Sequence, residues 1–211
     1  MTLRLNGATS GFTEIDSPAI GGSNTLLLPG SNGSAYQFLR NGATAGTTEF
    51  AAAITSGTVV ASTSGTSIDF TGIPSYVKRV TVMFQGVSTN GTSVPRFQLG
   101  DAGGVENTGY EGYSVRQGTT SNAYSAAFSA GFDFNDASTA ALVRTGELRL
   151  TLLTGNQWVV AGIYTAIGTT AYQTKMAGSK TLSGTLDRVR ITTVNGTDAF
   201  DAGSINILYE G

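Results

Sequence analysis

The chain has 211 residues, a formal net charge of −2 and 12 % charged residues, against about 25 % in an ordinary globular protein. Thr (31), Ser (20) and Gly (29) make up well over a third of it, and it contains neither Cys nor His. Disulfides, Cys- or His-ligated zinc and His acid–base chemistry are therefore excluded, and duplex nucleic acid would lack the basic face it needs.

Hydrophobic residues reach 40 %, enough for a folded core. No apolar run approaches the ~18 residues that span a bilayer. Residues 1–7 lose apolar character at once, so no secretory signal core is expected there. Over residues 1–50 the apolar side chains come as isolated beads: Leu3, Leu5, Phe12, Ile15, Ile20, then Leu26-Leu27-Leu28 and Phe38-Leu39. So small an inventory does not close a core by itself. Without Cys the staple is not a disulfide. The remaining option is a core shared with sister chains, which predicts an intertwined homo-oligomer, preferentially a trimer.

Residues 47–54, with Ala51-Ala52-Ala53, are expected to form one short helix. Asn-Gly pairs at 6, 32, 41, 90 and 195 are expected to make type I′ turns, because both residues tolerate positive φ. Strands become clear after residue 57. Val80, Val82 and Phe84 alternate with Arg79, Thr81 and Met83. Leu148, Leu150 and Leu152 alternate with Glu147, Arg149 and Thr151. Trp158, Val160 and Ile163 follow a turn at Thr154-Gly155-Asn156, so residues 147–165 read as a hairpin. Val189 and Ile191, then Ile205, Ile207 and Tyr209, repeat the pattern. A period of two with one apolar face means sheets packed on one side. The expected fold is all-β: a jelly-roll-type β-sandwich over residues 57–211, preceded by a short extended, intertwined N-terminal segment, residues 1–56.

The stretches Leu5-Asn6-Gly7-Ala8-Thr9-Ser10-Gly11, Glu14-Ile15-Asp16-Ser17-Pro18-Ala19 and Gly22-Ser23-Asn24-Thr25-Leu26-Leu27-Leu28-Pro29 resemble the N-terminal module of tail-fibre and related virion proteins of tailed phages, especially cyanophages. Residues 36–46 look like the linker that follows it. The stretches Thr66-Ser67-Ile68-Asp69-Phe70-Thr71-Gly72-Ile73-Pro74, Leu182-Ser183-Gly184-Thr185-Leu186-Asp187-Arg188-Val189-Arg190-Ile191-Thr192-Thr193 and Phe200-Asp201-Ala202-Gly203-Ser204-Ile205-Asn206-Ile207 look like phage structural domains. The resemblance touches both ends and is thinnest across residues 95–145. It implies a homotrimer located on the virion and assembled in the host cytoplasm. The N-terminal segment would dock on other virion proteins, at the tail or baseplate or alternatively the capsid. The implied role is a short tail fibre or receptor-binding adhesin; the alternatives are a capsid decoration protein and a polysaccharide depolymerase.

A depolymerase needs two carboxylates about 5–10 Å apart. Asp101, Glu106, Glu111, Asp133 and Asp136 are the candidates, and spacing alone reads them as solvated turn acids. No catalytic residue is assigned, and an enzyme is not expected. A host glycan is the expected ligand. The stretch 100–135 offers Tyr110, Tyr113 and Tyr124 as stacking faces, and Asn107 and Glu111 as partners for hydroxyls, beside Gln117 and Asn122. Phe128, Phe132 and Phe134 share one parity and read as core. Asp133 with Asp136, or Asp198 with Asp201, offers oxygen ligands only. Neither pair follows a calcium-loop pattern. No metal or cofactor is expected, nor any nucleic acid partner or membrane insertion. Arg149, Arg188 and Arg190 read as solvent-facing cations paired with Glu147 and Asp187.

Overall fold

The computed structural model describes residues 3–6, 12–15, 25–42, 44–118, 123–136, 139–140, 142–169 and 171–211. Gly7, Ile20 and Asn122, named above, lie outside the described residues. The chain divides into two compact units, Met1–Ala53 and Ile54–Gly211. Both are built from antiparallel strands, with no helix among the described residues.

In the first unit, β1 (Leu3–Asn6) pairs with β2 (Phe12–Ile15), and β3 (Phe38–Asn41) with β4 (Thr48–Ala51). The helix expected over residues 47–54 is therefore corrected to strand. Three alanines do not hold so short a helix alone. Thr47, Thr48 and Phe50 favour extended backbone, and β3 supplies ladder partners for Thr48 and Phe50. Leu27 bridges to Thr47, with its N–H donating to Gly46 O at 2.7 Å and its carbonyl accepting from Thr48 N–H at 2.9 Å. Leu26 (68 %), Leu28 (63 %) and Phe38 (63 %) stay exposed. Among the residues whose burial is described the first buried apolar side chain is Ile68, and the core cluster lies in the second unit.

That unit comprises β5 (Ile54–Ser56), β6 (Val60–Ala61), β7 (Ser67–Thr71), β8 (Arg79–Thr89), β9 (Pro95–Asp101), β10 (Gly104–Val105), β11 (Tyr110–Gly118), β12 (Tyr124–Ala127), β13 (Phe132–Asp133), β14 (Val143–Thr154), β15 (Gln157–Ile167), β16 (Ala171–Thr181), β17 (Arg188–Thr193) and β18 (Phe200–Glu210). The nine-stranded sheet runs β12-β11-β16-β15-β14-β8-β18-β5, with β6 also on β18. The five-stranded sheet runs β10-β9-β17-β7, with β13 also on β9. The inner faces share one core. Phe84 of β8 meets Phe97 of β9 with ring centroids 6.0 Å apart, and Phe134 stacks on Tyr164 of β15 at 4.3 Å. Alternation explains the burial: Val80, Val82, Leu148, Leu150, Trp158, Val160, Val189, Ile191, Ile205 and Ile207 all point inward. Ile163 has the opposite parity to Trp158 and Val160 and points outward, correcting the sequence grouping.

The turn at Gly155-Asn156 closes the β14–β15 hairpin, with Gly155 at φ +53° and Thr154 paired with Gln157. The Asn-Gly pairs behave otherwise. At 32, 41, 90 and 195 no Asn has positive φ, so none of these makes a type I′ turn. Asn195 instead turns its side chain onto the backbone, where Oδ1 accepts from Thr197 N–H (3.0 Å) and Asp198 N–H (3.2 Å).

Candidate functional site

The edge strand β12 and its neighbours β11 and β16 position the site. Arg116 pairs across the ladder with Tyr124 on one side and Thr174 on the other, and Gly118 pairs with Tyr172. Paired residues share a face, and the two-residue repeat places Tyr172 on the face of Thr174. The guanidinium of Arg116 thus lies between two rings, 5.1 Å from the Tyr124 centroid and 5.2 Å from that of Tyr172. Both distances are within cation–π reach.

Residues 132–136 hold this arrangement from below. Arg116 Nη1 donates to the Asp136 carbonyl. The Asn135 amide donates to Ser114 O at 3.0 Å and Tyr124 O at 2.7 Å, while Thr174 Oγ1 donates to Asn135 O at 2.9 Å. The Asp136 carboxylate receives Arg144 Nε at 2.6 Å. Burial, with Asp136's charge adding to it, pushes the Tyr164 hydroxyl well above its ordinary value. Among the described residues Arg116 has no carboxylate in salt-bridge contact, whereas Arg40, Arg79, Arg96, Arg144, Arg149, Arg188 and Arg190 each have one. Tyr124 is 58 % exposed. Tyr172 also lines a cleft of about 540 Å³ with Gln117, Ile167 and Gln173. Two aromatic faces suit the CH patches of a sugar ring, and a guanidinium with donors to spare suits a carboxylate or hydroxyls.

The five residues expected to bind glycan are not brought together. Tyr110 is removed from the set: it is 3 % exposed and sits edge-on to Phe132 at 4.9 Å. Its hydroxyl accepts from Leu99 N–H at 2.7 Å and donates to Glu106 O at 2.9 Å. Burial pushes this phenol well above its ordinary range. The cause is register, since Tyr110 pairs with the buried Lys180 and so faces inward. Glu111 and Tyr113 take the other parity and lie on the outer face of the sheet. Asn107 is exposed on the loop before β11. Tyr124 alone joins a cluster, and its partners Arg116 and Tyr172 escaped the sequence reading because strand pairing, not spacing, joins positions 116, 124 and 172.

Apart from Glu111, the candidate acids are engaged elsewhere. Ser183 Oγ lies 2.8 Å from both Asp101 Oδ2 and Glu106 Oε1. Hydrogen bonds from Ser183 and Gly103 hold Asp101 below its usual range. Partial burial works against ionisation of Glu106, but contacts from Lys180 and Ser183 outweigh it and lower its pKa. Asp133 is bidentate to Arg96, at 2.5 and 2.9 Å, and Asp136 is bonded to Arg144. Asp198 accepts from Ser93 N–H and the Asn195 amide, and Asp201 accepts from Ser88. Arg149 pairs with Glu147 and Arg188 with Asp187, whereas Arg190 pairs with Asp69 across to β7.

No group of three or more acidic metal ligands occurs among the described residues, and no helix there is long and apolar enough to cross a membrane. No protein-family model, curated protein or solved structure matches the chain.

Proposed function

We propose that this chain is a structural protein of a tailed-phage virion, a short tail fibre or receptor-binding adhesin that attaches the particle to a host-surface glycan without cleaving it. The observation that carries the adhesive role is Arg116, a guanidinium with no carboxylate partner among the described residues, held between the rings of Tyr124 and Tyr172. The resemblance at residues 5–29 supports membership of the virion. The exposed leucines and phenylalanines of the first unit support a homotrimer in which sister chains complete that unit's core and dock it on other virion proteins. Three weak sites on one trimer then act together by avidity.

The fold is of jelly-roll type in this reading, and the strand order supports it. One sheet contains β7-β17-β9-β13 and the other contains β8, the β14–β16 meander, β11 and β12. Two wound Greek keys give this order if the meander stands in place of a single strand and β18 is added at the edge of β8.

The test is an array of bacterial surface polysaccharides probed with the full-length protein. Wild type binds at least one glycan. Tyr124→Ala and Arg116→Met bind at least tenfold more weakly, with Tyr124→Ala leaving the melting temperature within a degree or two. Absence of binding by wild type, or full binding by both variants, overturns the reading.

A further inference from the structure

We infer that the outer face of the nine-stranded sheet packs on a second copy of this chain, about a two-fold axis running along β15. This goes beyond the adhesive role and does not depend on it.

The sequence of β15, Gln157–Ile167, carries no charge on either face. A solvated outer face of an antiparallel sheet ordinarily alternates to polar residues, and β15 departs from that with Val159, Ala161, Ile163 and Ile167. Here the inner side is covered, while Val159, Ile163 and Ile167 point outward with 39–57 % exposure. Val159, Ala161 and Ile163 form an apolar stripe, which Thr165 separates from Ile167, and exposed apolar surface rimmed by polar residues is the kind that serves as an interaction site.

The flanking residues say what covers it. Across the sheet, one row reads Val115–Lys175–Ile163–Glu147–Met83, and another reads Glu111–Ser179–Val159–Thr151–Arg79. Rotation by half a turn about β15 reverses each row against itself. Lys175 then faces Glu147 of the second copy, Glu111 faces Arg79, Val115 faces Met83, and Ile163 faces its own mate. Base meets acid in these two rows, the self-complementarity a two-fold interface requires; in the row between them, Tyr113–Ala177–Ala161–Arg149–Thr81, Arg149 faces Ala177 and keeps its own Glu147 as partner. Among the described residues neither Glu111 nor Lys175 has an ion-pair partner within its own chain. Their opposites, Glu147 and Arg79, are held only by exposed pairs at 3.2 Å, which are weak and can be shared. A depression of about 360 Å³ between Ile163, Lys175 and Arg149, with Ala161 at its edge, leaves room for the facing side chains. Five strands of nine residues cover roughly 24 Å by 30 Å. That is roughly 700 Å², close to the ~800 Å² per partner of a specific interface.

The experiment uses the full chain, which has no cysteine of its own. Ile163→Cys is treated with a short bismaleimide that spans the roughly 10 Å between packed sheets. The expected product is a covalent pair in high yield. Adding Lys175→Glu cuts that yield at least fivefold, because both charge pairs become Glu–Glu. Adding Glu147→Lys to Lys175→Glu restores it. Thr81→Cys, whose two copies would stand about 19 Å apart across four strand spacings, gives little product. The inference is overturned if Ile163→Cys does not cross-link, as when residues 1–53 or an unrelated partner cover the face. It is equally overturned if the yield ignores the charge reversals, or if Thr81→Cys links as well as Ile163→Cys.

Discussion

Arg144 and Asp136 meet as a fully buried ion pair, Nε to Oδ2 2.6 Å and Nη2 to Oδ1 3.2 Å, with side chains 1 % and 0 % exposed. The neighbouring Asn135 ties β11 to β12 through Ser114 O and Tyr124 O. The pair therefore anchors the segment on which the Tyr124–Arg116–Tyr172 stack rests. Removing one partner leaves the other charge buried and uncompensated, at a cost of ~3–5 kcal/mol. Arg144→Met is expected to lower stability by that order in urea denaturation. A loss below about 1 kcal/mol would mean the pair is dispensable.

Tyr110 is a structural residue. Tyr110→Phe strands the Leu99 N–H and is expected to cost ~1–3 kcal/mol. Tyr113→Ala, on the outer face, is expected to stay within about 0.5 kcal/mol in the monomer fold. Thermal melts of the two variants check the contrast, and equal effects would contradict the inward placement of Tyr110.

Gly86 and Gly203 approach closely where β8 and β18 lose register, both at positive φ (+70° and +93°). A Cβ at Gly203 would lie 2.5 Å from the Gly86 backbone. Gly203→Ala is expected to destabilise by well over 1 kcal/mol, since both φ and space oppose it. Gly72→Ala, at φ +73° with nothing within 4 Å, carries the conformational cost alone, about 1 kcal/mol. Denaturant midpoints distinguish them.

Acid stability follows from Asp101, Glu106 and Asp198, whose pKa values are lowered in the fold. A carboxylate with a depressed folded pKa contributes stability above its unfolded pKa, near 4. That contribution is lost as pH falls through the folded value. Melting temperature should therefore hold at neutral pH and drop below about pH 4. Ser183→Ala, which removes the hydroxyl shared by Asp101 and Glu106, should flatten that drop. An unchanged acid limb in Ser183→Ala would contradict this linkage.

The parts of this molecule legible in the sequence are those where alternation and turn chemistry agree. Leu148 and Leu150 face Trp158 and Val160 across a turn whose Gly155-Asn156 was visible beforehand. Phe128, Phe132 and Phe134 were placed by parity and are buried. What escaped depended on pairing between distant strands. Arg116 meets Tyr172 only because β11 lies beside β16. Tyr110 looked like a binding aromatic among acids, and only its register with Lys180 turns it inward. Arg144 has the parity of Leu148 and Leu150, and a charge on an inward parity announces a buried partner. The helix expected at 47–54 failed because alanine content outweighed Thr47, Thr48 and Phe50 in the reading but not in the fold.

The first unit exposes Leu26, Leu27, Leu28, Phe38, Leu39 and Phe50, and its completion by sister chains is tested most directly by mass in solution. Light scattering on the Lys175→Glu chain, which removes the sheet-face contact, should give three times the 21.7 kDa of one chain. A clean 21.7 kDa species at micromolar concentration would contradict it, because the first unit would then stand without sisters.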